Sequence, residues 1–447
     1  MALRAKGRDL SSLLCRHAAA RVAAAGNRGM ASGHGLDPAQ TPLQQQYIDK
    51  EEKYGAHNYH PLPVVLNRGE GIFMWDVDGK KYFDFLSGYS AVNQGHCHPK
   101  IIEAMVEQAK KLTLTSRAFF NDTLGEYEEY ITQLLGYDKV LPMNTGVEGG
   151  ETAIKLARRW GYDVKGVPKN QAKILFAREN FWGRTTSAIS SSTDPDSYEG
   201  FGPYMPGFEI IPYNDLEALQ QKLEADPNIV AFMVEPIQGE AGVVVPQDGY
   251  LKKAQELLHK HNALLISDEV QTGLCRTGKM LCSEWDMGGA RPDITILGKA
   301  LSGGTMPVSA VLANNDVMLT IGRGQHGSTY GGNPVANRVA IASLKVLVEE
   351  KCAENAARLG PIFRKELEGI GSPLIQSVRG RGLLNAIVVD PEAGVEAWDI
   401  CLKLMKEGLL TKPTHRNIIR LAPPLIINEE QLHQATGIIQ KVFSQLK

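Results

Sequence analysis

Short apolar runs separated by helical stripes fill the middle of the chain. Residues 140–143, 173–176, 229–234, 263–266, 294–297 and 308–312 are each strand-length. Several are continuously apolar instead of alternating, which is the pattern of strands buried on both faces. Between them, apolar positions recur at helical spacing. Pro99 opens one such stripe through Ile101, Ile102, Met105 and Ala109, and another fits residues 124–135. Strands alternating with helices predict an α/β fold with a large domain whose mainly parallel central sheet is flanked by helices. Upstream, residues 72–76 and 81–85 flank Val77-Asp78-Gly79-Lys80, a hairpin signal. Asn333-Pro334 reads as an N-cap with proline in the first turn, opening a helix through Val339, Ala342, Val346 and Leu347.

The order changes beyond Glu350. A helix near 353–367 precedes strands near 374–378 and 383–389, then a helix near 395–406. A last helix starts at Asn428, with Gln431 three residues on, as in a capping box. These elements predict a smaller α+β C-terminal domain. The expected division is a leader over 1–36, an N-terminal segment with the hairpin over 37–90, a large domain over 91–339 and a small domain over 340–447.

Charge alters this picture at one end. Lys+Arg is 48 against Asp+Glu 50 over 447 residues. A near-neutral chain has no global basic field, which argues against nucleic-acid binding. Residues 1–36, however, carry six bases against the single Asp9, or +5, leaving 42 bases and 49 acids, or −7, for the remainder. That segment is also rich in alanine, with Leu3, Leu10 and Leu14 beside arginines. This is the composition of a mitochondrial transit peptide, whereas Arg16 interrupts the apolar stretch that a secretory signal needs. No apolar run approaches 18 residues, so no membrane span is expected. Six cysteines without a C-x-x-C pair suit a reducing compartment.

Candidate chemistry follows the expected strands, where ligands of parallel sheets bind. Lys299 directly follows run 294–297. Burial there would lower its ammonium pKa and free the amine as a nucleophile. Asp268 ends another strand. A carboxylate facing a pyridine nitrogen keeps the ring protonated and electron-withdrawing. Taken singly, the two also suit a strand-capping lysine and a helix N-cap. Thr145-Gly146-Val147 opens a helix whose free N–H groups attract phosphate. Gly149 and Gly150 fall in its first turns and suggest a close approach there. Gly95-His96-Cys97-His98-Pro99 superficially suggests a metal site, but alternate side chains diverge on extended backbone and no third ligand cluster is near. It reads as a structural loop, and no metal is expected.

Longer motifs carry a family resemblance. Ser267-Asp268-Glu269-Val270-Gln271-Thr272-Gly273 and Gly298-Lys299-Ala300-Leu301-Ser302-Gly303-Gly304 resemble the fold-type I pyridoxal-phosphate aminotransferases of class III. Glu235-Pro236-Ile237-Gln238-Gly239-Glu240 and Ser328-Thr329-Tyr330-Gly331-Gly332-Asn333-Pro334 are similar to the same group. Tyr54-Gly55-Ala56-His57-Asn58-Tyr59-His60-Pro61-Leu62-Pro63 and Asn180-Phe181-Trp182-Gly183-Arg184 resemble its branch acting on the δ-amine of ornithine. The similarity runs from about Tyr47 to the C-terminus. Gly149 departs from the family's frequent alanine, a change that removes no chemistry.

The resemblance implies pyridoxal 5′-phosphate as cofactor, linked to Lys299, which then moves the reacting proton. Asp268 would face the pyridine nitrogen, Gln271 the phenolic oxygen and Phe181 the ring face. Gly146 and Val147 would hold the phosphate, Ser328 would also bind the cofactor, and Thr329 would reach the phosphate of the neighbouring subunit's cofactor in a homodimer. The N-terminal segment would pack on that partner. Ornithine carries two amines, so its α-carboxylate and α-amine must be held away from Lys299, by Arg184 and Tyr59 respectively. The second substrate, 2-oxoglutarate, needs a cation for its own α-carboxylate. That would be Arg420, neutralised by Glu240 until the keto acid arrives, with Tyr89 lining the same pocket. The expected reaction is δ-transamination in the mitochondrial matrix. Acetylornithine or 4-aminobutyrate as substrate, and a silent cofactor-binding scaffold, are the alternatives. The Tyr59 motif favours a free α-amine, and joint retention of Lys299, Asp268 and Arg184 argues against silence.

Overall fold

The computed structural model describes Asp37 and residues 41–446, and the expected leader lies outside them. The chain divides after Val65 into two compact units. In the first, Thr41 caps the helix Pro42–Tyr54, its side chain accepting from Gln44 N, and Pro42 occupies the first turn. Gln44 in turn accepts from Val65 N at 3.2 Å.

The second unit begins with the expected hairpin. Strands β1 (Leu66–Glu70), β2 (Phe73–Asp76) and β3 (Lys81–Asp84) pair antiparallel in sequence order. The central sheet then uses β4 (Lys139–Met143), β5 (Lys173–Ala177), β6 (Phe208–Ile211), β7 (Ile229–Val234), β8 (Leu264–Asp268), β9 (Ile294–Leu297) and β10 (Ser309–Ala313). Their spatial order is β4-β10-β9-β8-β7-β5-β6. β5 pairs parallel with β6 and β7, β7 with β8, and β8 with β9. β10 is antiparallel to both neighbours. Six strands therefore share one direction and bring their carboxyl ends to one edge. β7 to β10 are buried at every position, in keeping with their unbroken apolar runs. Helix Gly146–Trp160 packs on one face through Ala153, Ile154, Ala157 and Trp160. Leu219 and Leu223, with Leu251, Ala254 and Leu258, cover the other face.

Beyond the long helix Pro334–Glu349, which Asn333 caps as expected, a second antiparallel sheet forms. It holds β11 (Ile375–Arg381), β12 (Leu384–Val389), β14 (Pro413–Thr414) and β15 (Ile418–Leu421), in the order β11-β12-β15-β14. The closing helix Glu429–Ser444 has the full capping box between Asn428 and Gln431. Five strands were not foreseen: β1, β14, β15 and two more. β6 is a partly buried edge strand carrying Glu209, without a continuous apolar run. β13 (Leu409–Leu410) leaves its neighbours and pairs parallel with Phe83 and Asp84 of β3. Among the described residues, no helix is long and apolar enough to cross a membrane.

Helix Cys352–Gly369 crosses the turn before β12 at Gly360. A Cβ there would lie 2.3 Å from the carbonyl oxygen of Gly382, which is backbone and cannot swing aside. Gly360→Ala is therefore expected to destabilise by about 1–3 kcal/mol, since the clash outweighs alanine's better helix propensity. The chemical-unfolding midpoint checks this.

Candidate active site

The shared strand edge gathers the chemistry. Asp268 is the last residue of β8 and faces Ile296 across the pairing with β9. Lys299 comes two residues after β9 ends, in a left-handed conformation with φ 44°. Both line a cavity of about 260 Å³ with Gly146, Val147, Phe181, Glu235, Glu240 and Gln271. Burial pushes the Asp268 carboxyl up to about 6, against the pull of the Val270 N–H at 3.0 Å and of Lys299. Burial pushes the Lys299 ammonium the other way, below its ordinary range, with Asp268, Glu240 and Glu235 opposing. A lowered lysine beside a carboxylate can attack a carbonyl and then move a proton.

One end of the cavity is an anion cradle. Thr145 and Glu148 form a reciprocal capping box at the start of helix Gly146–Trp160. Glu148 N donates to Thr145 Oγ1 at 3.3 Å, and Thr145 N donates to Glu148 Oε2 at 2.7 Å. The N–H groups of Gly146 and Val147 precede the first intrahelical donor and point out of the helix end. At the other side, Gln271 Oε1 is buried without a hydrogen-bond partner. It lies so close to Gly239 that a Cβ on that glycine would come within 1.4 Å of it. Phe181 is fixed through its backbone, whose N–H donates to Glu235 Oε1 at 3.0 Å. Burial, with Asp268 nearby, raises the Glu235 carboxyl well above the usual range.

Substrate-side charge lies at the rim. Arg420, from β15, is buried and its Nη1 meets Glu240 Oε2 at 2.6 Å. Its guanidinium lies 4.7 Å from the centre of the Tyr89 ring. Arg184 is exposed, lies 5.7 Å from the Phe181 ring centre and lines an adjoining cavity that shares Phe181 and Glu240 with the first. Three further anticipated residues do not line either cavity. Ser328 takes Asn144 Nδ2 at 2.8 Å, beyond the end of β4, and Thr329 is exposed. Tyr59 belongs to the first unit.

Two contributors were not read from the sequence. Glu235 sits in a quoted motif, yet its hold on Phe181 spans 54 residues. Arg276 is fully buried and donates to Leu383 O, Pro423 O and Asn93 Oδ1 at 3.0, 2.6 and 2.6 Å. It thus ties the loop after Asp268 to the segment after Arg420. Its only sequence signal is an arginine within an otherwise apolar and glycine-rich stretch. The histidine loop has no common centre, because His96 meets Asp84 and His98 meets Glu350.

Residues 54–443 match the class-III aminotransferase family. The chain belongs to the class-III aminotransferases. The mitochondrial ornithine aminotransferase of Drosophila melanogaster is 65% identical to this class-III aminotransferase over 394 residues, covering 88% of this chain and 90% of its own. A solved ornithine aminotransferase from Toxoplasma gondii, described with partial occupancy of PLP at its active site, has a TM-score of 0.89 at 45% identity, with 99% of each chain covered. The acetylornithine aminotransferase structure from Elizabethkingia anophelis has a TM-score of 0.82 at 57% identity, covering 90% of this chain and 99% of its own. The fold is that of the fold-type I enzymes, and this chain is a pyridoxal-phosphate-dependent transaminase. The cavity fits that cofactor. It offers helix N–H groups for a phosphate, a carboxylate and a lysine at adjacent strand ends, and an amide with an unsatisfied buried oxygen. A half-turn of the Gln271 amide would present its N–H₂ instead.

The raised Asp268 carboxyl has a pH consequence for the cofactor-free protein. Between its unfolded value and about 6, the folded chain holds a proton that the unfolded chain has lost. Its burial therefore weakens the fold increasingly as pH rises through that window. Cofactor-free Asp268→Asn is expected to be more stable than cofactor-free wild type at pH 7, with the gap closing towards pH 4. Urea unfolding of both apoproteins across this range checks the sign.

Proposed function

We propose that this class-III aminotransferase moves the δ-amino group of L-ornithine to 2-oxoglutarate, in two half-reactions sharing one pocket. The products are glutamate and glutamate 5-semialdehyde, which closes to pyrroline-5-carboxylate. The observation that carries the reading is the Arg420–Glu240 pair at 2.6 Å on the rim of the Lys299 cavity. It supplies a cation whose availability a neighbouring carboxylate can control, which is what two differently charged substrates require. The identity to the fly ornithine aminotransferase supports the same conclusion.

Bound pyridoxal phosphate supplies an electron sink for the carbon that loses its proton. Lys299 Nζ takes that proton from the substrate carbon bearing the reacting amine and returns it on the cofactor side. Asp268 would hold a proton on the pyridine nitrogen, and the Gln271 amide would face the phenolic oxygen. Gly146 and Val147 N–H groups would bind the phosphate, and Phe181, anchored by Glu235, would cover the ring. Arg184 binds the ornithine carboxylate through its planar fork and Tyr59 takes the α-amine, which leaves the δ-amine towards Lys299. While Glu240 holds Arg420, that guanidinium is not available to draw the α-carboxylate inwards. When the keto acid enters, Arg420 changes partner to its α-carboxylate, against Tyr89.

We further propose a homodimer in which Ser328 and Thr329 of one chain meet the cofactor phosphate of the other, and a mitochondrial matrix location. The exposure of Thr329 supports the first, and the basic, acid-poor residues 1–36 and the name of the fly relative support the second. The divisions 37–90, 91–339 and 340–447 remain the proposed domain plan. Acetylornithine is the second reading, because the Elizabethkingia relative carries that name. Supplying ornithine, N-acetylornithine or 4-aminobutyrate with 2-oxoglutarate separates the readings. Pyrroline-5-carboxylate from ornithine is the expected product, and preference for an acylated or shorter amine would overturn the proposal. Lys299→Ala is expected to lower turnover by roughly 10²–10⁴-fold or more, as loss of the proton carrier demands. Glu240→Ala should leave Arg420 free and raise the share of α-amine chemistry, visible as the product ratio from ornithine.

A further inference from the structure

Residues Ser87 to Ser90 form a turn that sequence chemistry does not favour. Their φ values are 50°, 54°, 60° and 71°, all left-handed, and only Gly88 is a glycine. A left-handed residue with a Cβ crowds its own carbonyl, so such a run persists only where the surroundings dictate it. Here the dictating group is Asp84, at the end of β3 and almost wholly buried. Its Oδ1 accepts from Leu86 N at 2.9 Å and Ser87 N at 2.8 Å, which starts the turn. Its Oδ2 accepts from His96 Nε2 at 2.7 Å. His96 is itself set by a backbone bridge to Gly71. The turn then closes through Ala91 N and Val92 N, which both donate to Ser87 O.

The product of this arrangement is the placement of Tyr89, whose ring centre is 4.7 Å from the Arg420 guanidinium. Arg420 has Glu240 on one side, and its Nε is buried without a hydrogen-bond partner. The ring is thus part of what orients the guanidinium. We propose that Asp84 and His96 are positioning residues for the keto-acid half-reaction, because their hydrogen-bonded pair fixes the left-handed turn that holds Tyr89 against Arg420. The inference rests on the reading of Arg420 as the keto-acid cation. It also gives a use to one histidine of the Gly95–Pro99 loop and none to the other. His98, two residues on, pairs with Glu350 and reaches neither Asp84 nor the turn.

The holoenzyme carrying His96→Ala, His96→Gln or His98→Gln tests this, with ornithine and 2-oxoglutarate half-reactions followed separately. His96→Ala should raise KM for 2-oxoglutarate about tenfold, the effect of losing one charge-assisted hydrogen bond, and change the ornithine half-reaction less than about twofold. His96→Gln places an amide N–H where Nε2 stood and should restore the keto-acid KM, while His98→Gln should leave both half-reactions at wild-type values. A crystal structure of His96→Ala should show the 87–90 turn relaxed and Tyr89 displaced from Arg420. Equal loss in both half-reactions, no change in either, failure of glutamine to rescue, or an undisturbed Tyr89 would overturn the proposal. Wild type in the same assay reports separately on ornithine as substrate, and the displacement of Tyr89 is read whatever the substrate proves to be.

Discussion

Pairing β8 with β9 puts a carboxylate and an ammonium at neighbouring strand ends, where the buried sheet edge solvates neither of them fully. The same cause, desolvation, raises one group and lowers the other. Each is thereby made closer to neutral than it would be in water, and each becomes more responsive to whatever enters the cavity. This arrangement costs the empty fold stability, as sites built for chemistry commonly do. The seven-stranded sheet can bear it because its central strands are buried on both faces.

The substrate side obeys a different logic. Arg420 comes from the second sheet, Tyr89 from the hairpin region and Glu240 from the loop after β7, so the rim is a meeting of three distant segments. Buried polar side chains hold them in register. Arg276 reaches Asn93, Leu383 and Pro423, and Asn93 returns a bond to Leu274 O at 2.8 Å. These bonds join the loop carrying Gln271 to the strand carrying Arg420. A buried guanidinium with three polar acceptors is more specific about geometry than an apolar contact of equal size, because each unmade bond carries a desolvation penalty.

What the amino-acid sequence disclosed divides along the same line. Residues 229–234 and 294–297 read as strands because an unbroken apolar run suits burial on both faces, and Asp268 and Lys299 stood out together because each falls two residues beyond such a run. Asn333 and Asn428 were visible as caps because capping is local chemistry. β6 escaped notice because an edge strand with Glu209 lacks the continuous pattern, and β13 because two residues carry no periodicity. The turn at 87–90 has one glycine among four left-handed residues, so its cause, Asp84, is legible only once the backbone is known. The partnerships of Glu235 with Phe181 and of Arg276 with Asn93 span 54 and 183 residues, beyond any local signal.

The two-residue strand β13 also bears on the order in which the molecule is made. It completes the hairpin sheet by pairing Leu409 and Leu410 with Phe83 and Asp84, and nearby Lys80 Nζ donates to Met405 O across 325 residues of chain. Contacts at such separation close late, since the entropy of a long loop must be lost before they form. The helix start at Gly146 and the Asp268–Lys299 edge are complete by Ala313, when more than a hundred residues are still to come. Arg420 waits for the final fifth of the chain. A polypeptide synthesised or threaded from its N-terminus therefore holds the strands that carry its carboxylate and its lysine long before it holds the arginine that faces Tyr89.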